Sequence, residues 1–275
     1  MNVKIKNSCA QTGRYLIILI ALIFFLFPIV WIILTAFKTG EEFVHSPPIW
    51  LPHSPTLSSF AHIVKSGGLK ALFNSIFIAT SVTILSLVVG SLAGYALARF
   101  KVGGENLPFF ILSQRFMPPV AIIFPFLLFF KALAWMDTHQ ALIIVYLTFN
   151  LPYSVWMMRG FFIEVPVEIE ESALVDGCSP FRAFWSIILP LVTPGLVATG
   201  VFCFIFSWHE FFFAVCLTRS RAVPLSVYLP NFFGKEMIMW GEIGAVSLMA
   251  MIPLFFMSFL VQRYLVRGLT LGAVK

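Results

Sequence analysis

The sequence predicts an all-α membrane protein with six transmembrane helices. Three observations carry this. Of 275 residues, 60% are hydrophobic and only 11% charged, against about 25% charged in soluble domains. Six apolar stretches, each near the roughly 20 residues that cross a bilayer, alternate with polar segments. Basic residues cluster at their ends. With the N-terminus inside, eleven Lys or Arg fall inside and seven outside, which favours both termini in the cytoplasm. The net charge of +6 is dispersed between apolar spans, so it reads as a topology signal and not as a nucleic-acid footprint.

Residues 1–14, with Lys4, Lys6 and Arg14, form a cytoplasmic N-terminus, and residues 15–275 form one six-helix domain. The first span, 15–36, is uncharged over 22 residues, longer than the roughly 7–15 apolar residues of a signal peptide, so it is retained. Pro28 is placed to kink it. Residues 37–70 form an outer loop with Pro47, Pro48, Pro52 and Pro55. The second span, 72–98, is rich in small residues (Gly90, Ser91, Ala93, Gly94) that permit close helix approach in lipid. Arg99 and Lys101 mark its inner end. The third, 109–133, holds Arg115 and is broken by Pro118, Pro119 and Pro125. Lys131 and Asp137 lie toward its outer end. The fourth, 140–162, carries Asn150-Leu151-Pro152 near its middle and Arg159 at its inner end. The fifth, 195–217, contains Trp208-His209-Glu210. A second outer loop, 218–241, precedes the sixth span, 243–264.

The polar stretch 164–194 organises the chain. It holds Glu164, Glu168, Glu170, Glu171 and Asp176, five of the twelve acidic residues. A segment so polar must face water or another protein, and parity places it in the cytoplasm. Pro166 suits a helix start, with the following acids near the positive end of the dipole. Val165, Ile169 and Ala173 recur at helical spacing as an apolar face. Gly177 breaks the helix, and Ser179-Pro180 starts a second one with Phe181, Phe184 and Trp185. From the residues alone, a docking element and an ordinary solvated loop both remain open.

This stretch resembles the EAA loop of ABC importer permeases: E-A-A, three residues, G, nine residues, I, one residue, L-P. Here the positions are Glu171-Ser172-Ala173, Gly177, Ile187 and Leu189-Pro190, with Ser172 the one departure. Residues 206–211 resemble the S-W-N-E-F segment of sugar-type permeases. His209 stands where that segment has Asn, so no ligand specificity is carried over. The tail 262–275, Arg115-Phe116-Met117-Pro118-Pro119 and Phe149-Asn150-Leu151-Pro152 are similar to the maltose-permease-like branch.

The resemblance implies a type I ABC importer permease fold with a cytoplasmic coupling helix. The implied ATPase-coupling residues are Glu170, Glu171, Ser172, Ala173, Asp176, Gly177, Leu189 and Pro190, with Glu171 or Asp176 holding the loop by hydrogen bonds or pairing with a basic residue on the ATPase. Implied partners are a second permease, two ATPase subunits that bind ATP and Mg, an extracytoplasmic substrate-binding protein and inner-membrane lipid. The implied cargo is a di- or oligosaccharide, a polyol or a related solute. Tyr228, Asn231, Phe232 and Phe233 are candidates for contact with the binding protein; a lid over the helices is the alternative.

Within the spans, Asn150, Trp208, His209 and Glu210 are candidates for the substrate path. A charge inside a span costs roughly 2.5–3.5 kcal/mol, so Glu210 should face a cavity or a partner. The plainer readings pair Glu210 with a basic residue and give Asn150 the carbonyl freed by Pro152. The chain has no G-x-x-x-x-G-K-[ST] phosphate loop, so it should not hydrolyse ATP. No metal or redox spacing links Cys9, Cys178, Cys203 and Cys216 or the five histidines, and no catalytic residue or bound cofactor is expected. A secondary transporter or channel without an ATPase is the alternative; a membrane-embedded enzyme would need clustered His and acidic residues, approached only at His209-Glu210.

Overall fold

The computed structural model describes residues 2–100, 102–234 and 238–271. Lys101, the tail 272–275 and the side chains of Lys4, Lys6, Cys9, Arg263 and Arg267 lie outside the described residues. The described residues are helical or in turns and loops, with one isolated antiparallel bridge among them, Phe233 to Ile238. The all-α expectation therefore holds.

Among the described residues four helices are long and apolar enough to cross a membrane, or up to six if each bent pair counts as one span. The first, α1 (Asn2–Ala36), runs on through Pro28. Two short helices follow, α2 (Gly40–Phe43) and α3 (Ser58–Lys65), then α4 (Gly68–Arg99). The third span is broken as its prolines require: α5 (Asn106–Ser113) and a 3-10 turn through Phe116 meet α6 (Pro119–Ala132) at 85°. Next come α7 (His139–Glu164), α8 (Val167–Val175) and α9 (Pro180–Ala183). A wide π-type turn, Phe184–Ile188, leads to α10 (Leu189–Leu191) and α11 (Thr193–His209), with a 77° bend at Val192. The fifth span is also broken, against expectation. It stops at His209, and α12 (Phe212–Leu217) restarts it. No proline or glycine marks this break. Then come α13 (Leu225–Tyr228) and α14 (Trp240–Leu271).

The chain divides into two compact units, residues 1–68 with 229–251 and residues 69–228 with 252–275. In the first, a Cβ on Gly244 would lie 2.8 Å from the Ala36 backbone nitrogen, so α1 and the start of α14 touch nearly backbone to backbone. The 37–57 loop is ordered by two charges. Lys38, 3% exposed, donates to the Ile49 carbonyl at 2.6 Å and lies over the Trp31 ring. Glu42 accepts from the Thr39 and His53 amides, which hold its carboxyl below the usual range.

In the second unit α4 and α7 are the central pair. A Cβ on Gly94 would sit 2.8 Å from the Arg159 amide nitrogen, and one on Gly90 would collide with Ser154. The small residues read from the sequence thus serve the close approach expected of them. One buried cluster joins Ile78, Val82, Phe130, Leu142, Tyr146, Phe213 and Leu217. A second, where α4 and α7 meet the 164–194 loop, joins Tyr95, Met158, Phe162, Val165, Phe184, Ile188 and Val192.

Candidate functional site

The 164–194 loop folds as two helical pieces around a glycine. Pro166 is the N-cap of α8, and Glu168 and Glu170 fall in its first turn. At the other end the Cys178 amide donates to the Ala173 carbonyl (3.0 Å) and the Gly177 amide to that of Leu174 (3.1 Å). This is the Schellman closure, with Gly177 at φ +86°. A Cβ there would meet nothing within 4 Å, so the need for glycine is conformational and not steric. The Ser179 hydroxyl accepts the Arg182 amide, and Pro180 opens α9.

The face turned inward differs from the one the spacing predicted. Val165 and Ala173 are buried, but Ile169 is 37% exposed, and the third inward position belongs to Glu170, 9% exposed. Both carboxylate oxygens of Glu170 are used. The Tyr95 hydroxyl donates to one, and the Arg99 Nε donates to the other at 2.8 Å. Arg99 Nη2 also reaches the Val165 carbonyl at 3.0 Å, just before α8. The carboxylate that holds the loop is therefore Glu170. No side-chain hydrogen bond of Glu171 or Asp176 is present among the described residues, and both are exposed. Tyr95 and Arg99 lie one helical turn apart on α4, a spacing the sequence offered and the prediction did not use.

Of the remaining motif residues, Ser172, Gly177 and Pro190 are exposed, Ala173 is buried and Leu189 is half-buried. The outer surface of the loop is apolar to an unusual degree. Val175 is 87% exposed and Phe181 69%, with Leu174 and Trp185 beside them.

Four intramembrane candidates separate into different settings. Among the described residues Glu210 pairs with no basic residue, but it does not stand free. It ends α11, and its oxygens accept the Phe213 amide at 2.9 Å and the Ala214 amide at 3.2 Å, the first free donors of α12. Tyr146 lies beside it. Asn150, 3% exposed, donates to the Tyr146 carbonyl at 2.8 Å and to Ser207 at 3.3 Å. The carbonyl freed by Pro152 is not its acceptor, because that carbonyl lies one half-turn further along the helix. Asn150 Oδ1 is buried with no hydrogen-bond partner among the described residues. Trp208 is buried against Phe204 and His209 is exposed.

At the opposite end of the second unit, Asp137 is the residue sequence reasoning placed but did not use. Its carboxylate accepts the amides of Arg219, Ser220, Arg221 and Ala222 at 2.9–3.1 Å. Burial opposes the charge, yet these four donors outweigh it and hold the carboxyl far below its usual range. Asn74 donates to the Arg221 and Val223 carbonyls, and Ser75 Oγ accepts the Leu225 amide. Of the four residues expected to meet a binding protein, Tyr228 and Phe232 are buried, whereas Asn231 and Phe233 are exposed.

Residues 86–271 match the family described as binding-protein-dependent transport system inner membrane component. The chain is 38% identical over 252 residues to the probable ABC transporter permease protein y4oR of Sinorhizobium fredii, covering 91% of each. It is 35% identical to the trehalose/maltose transport system permease protein MalG of Thermococcus litoralis, again over 91% of each. It superposes with TM-score 0.78 and 23% identity on a chain of a bacterial ABC transporter involved in import of the acidic polysaccharide alginate, covering 94% of this chain and 97% of that one. That likeness shows a shared fold.

Proposed function

This chain belongs to the family of binding-protein-dependent transport inner membrane components, and on that premise we propose that it forms one half of the solute path of an ATP-driven carbohydrate importer. The observation that carries the reading is the 164–194 loop: an apolar outer surface of Val175, Phe181 and Trp185 on a helical pair whose buried side is locked to α4. Such a surface suits a cleft in a partner ATPase. That ATPase would bind ATP and Mg, while this chain contributes movement and no hydrolysis. Glu171, Asp176 and Gly177 are its coupling residues, with Ser172 and Pro190 on the same exposed surface. The loop and both termini face the cytoplasm, while residues 37–70 and 218–241 face outward. Residues 15–275 form the permease domain.

A second permease chain completes the path, a second ATPase subunit completes the motor, and an external binding protein delivers the cargo against the outward loops, where Asn231 and Phe233 are exposed. Asn150 and Glu210 are the groups that hydroxyl-rich cargo would meet, because amides and carboxylates both serve sugar hydroxyls. The relative named for trehalose and maltose transport supports a di- or oligosaccharide cargo. The test is affinity purification in mild detergent, reconstitution, and uptake of labelled trehalose or maltose. Recovery of an ATPase and a second permease, with uptake that requires ATP, is expected. A chain that purifies alone and transports without ATP would overturn the reading.

A further inference from the structure

The 164–194 loop and the 218–225 loop lie at opposite ends of one helix, and α4 holds both. We propose that α4 is a transmission rod, with Glu170, Arg99 and Tyr95 forming the joint through which movement of the 164–194 loop is passed to the opposite loop. The proposal rests on the importer reading above and assigns these three as positioning residues.

The joint is bidentate on both sides. Glu170 uses one oxygen for Tyr95 and one for Arg99, and Arg99 also grips the Val165 carbonyl ahead of α8. The Arg99 and Glu170 side chains are only 7% and 11% exposed. A water-exposed pair would be loose. A buried pair that parts leaves two uncompensated charges, so it stays closed when either element is pushed. The surface formed by Val175, Phe181 and Trp185 makes no part of the joint, so docking and transmission reside in different side chains. At the far end of α4, Asn74 holds two carbonyls of the 218–225 loop, and Ser75 accepts the Leu225 amide. From Ser75 to Tyr95, α4 rises about 30 Å as one continuous helix. Between them Gly90 and Gly94 bring α4 backbone-close to α7, and the Ser154 hydroxyl donates to the Ser86 carbonyl at 2.7 Å, so α4 moves together with α7. A displacement at Glu170 therefore reaches the opposite loop as motion of one rigid element.

The experiment uses the complete reconstituted complex. Glu170→Gln, Arg99→Glu and the reversed pair Arg99→Glu/Glu170→Arg are compared by ATPase subunit recovered per permease and by solute transported per ATP hydrolysed. Each single variant is expected to keep the ATPase subunit and to lower solute per ATP about tenfold; the reversed pair, which restores the ion pair but not the donations to the Val165 carbonyl and from the Tyr95 hydroxyl, recovers part of it. Tyr95→Phe keeps its ring against Phe162 and Phe184, removes only the hydroxyl, and is expected to lower the ratio about threefold. Unchanged solute per ATP in the single variants and in Tyr95→Phe would overturn the proposal. So would loss of the ATPase subunit in the single variants with no recovery in the reversed pair. A wild-type complex without ATP-driven uptake would instead overturn the importer reading.

Discussion

Two loops at opposite ends of the second unit are each pinned by one carboxylate, by different means. Asp137 holds 218–222 through four backbone amides. Glu170 holds 164–194 through two side chains, Tyr95 and Arg99. Backbone donors are present whatever the residues are, proline excepted, so the Asp137 clamp, to which the Ser220 hydroxyl adds one side-chain donor at 3.1 Å, tolerates most sequence change in the loop it grips. The Glu170 joint depends on three named side chains, and any one of them can loosen it. A static clamp and a mechanical joint would differ in this way.

The comparison can be broken by mutation, from the largest effect down. Glu170→Ala should destabilise by about 3 kcal/mol, since it leaves the Arg99 charge buried without its partner. The fall in melting temperature of the purified protein measures it. Asp137→Ala should cost about 2 kcal/mol because the loop is partly solvated and its amides can find water. Its pH dependence has a definite sign. The folded carboxyl titrates below the unfolded value near 3.9, so its stabilisation is complete above that value and is lost as pH falls toward the folded one. The difference in melting temperature between wild type and Asp137→Asn should therefore stay flat from about pH 8 to 5 and shrink below about pH 4. Gly177→Ala should cost about 1 kcal/mol from the left-handed backbone alone, and Gly177→Asn less, both read by limited proteolysis at the loop. Ser179→Ala should be the mildest, about 0.5 kcal/mol for a lost cap.

What the sequence revealed follows from where the partners lie. Pro166, Gly177 and Ser179-Pro180 act on backbone within a few residues, so their roles were legible. The third span's break was legible for the same reason, because Pro118 and Pro119 are local causes. Glu170 was placed in the loop but not turned inward, because its partners lie on α4, 71 and 75 residues away, and periodicity favoured Ile169. Glu210 was read inside a continuous helix, where no free amides exist. Its role depends on a break that neither proline nor glycine announces. Asp137 was unreadable because backbone donors leave no residue pattern.

Cross-linking from Val175 tests the role of the 164–194 loop most directly. Cys178, in the same loop, is first replaced by Ser, and Val175, 87% exposed, is replaced by Cys in the intact complex. A photoreactive thiol reagent there should join this chain to the ATPase subunit, with the yield changing when ATP binds. An adduct to the ATPase only from Asn231→Cys, and none from Val175→Cys, would contradict the coupling role of the loop and the orientation of the chain.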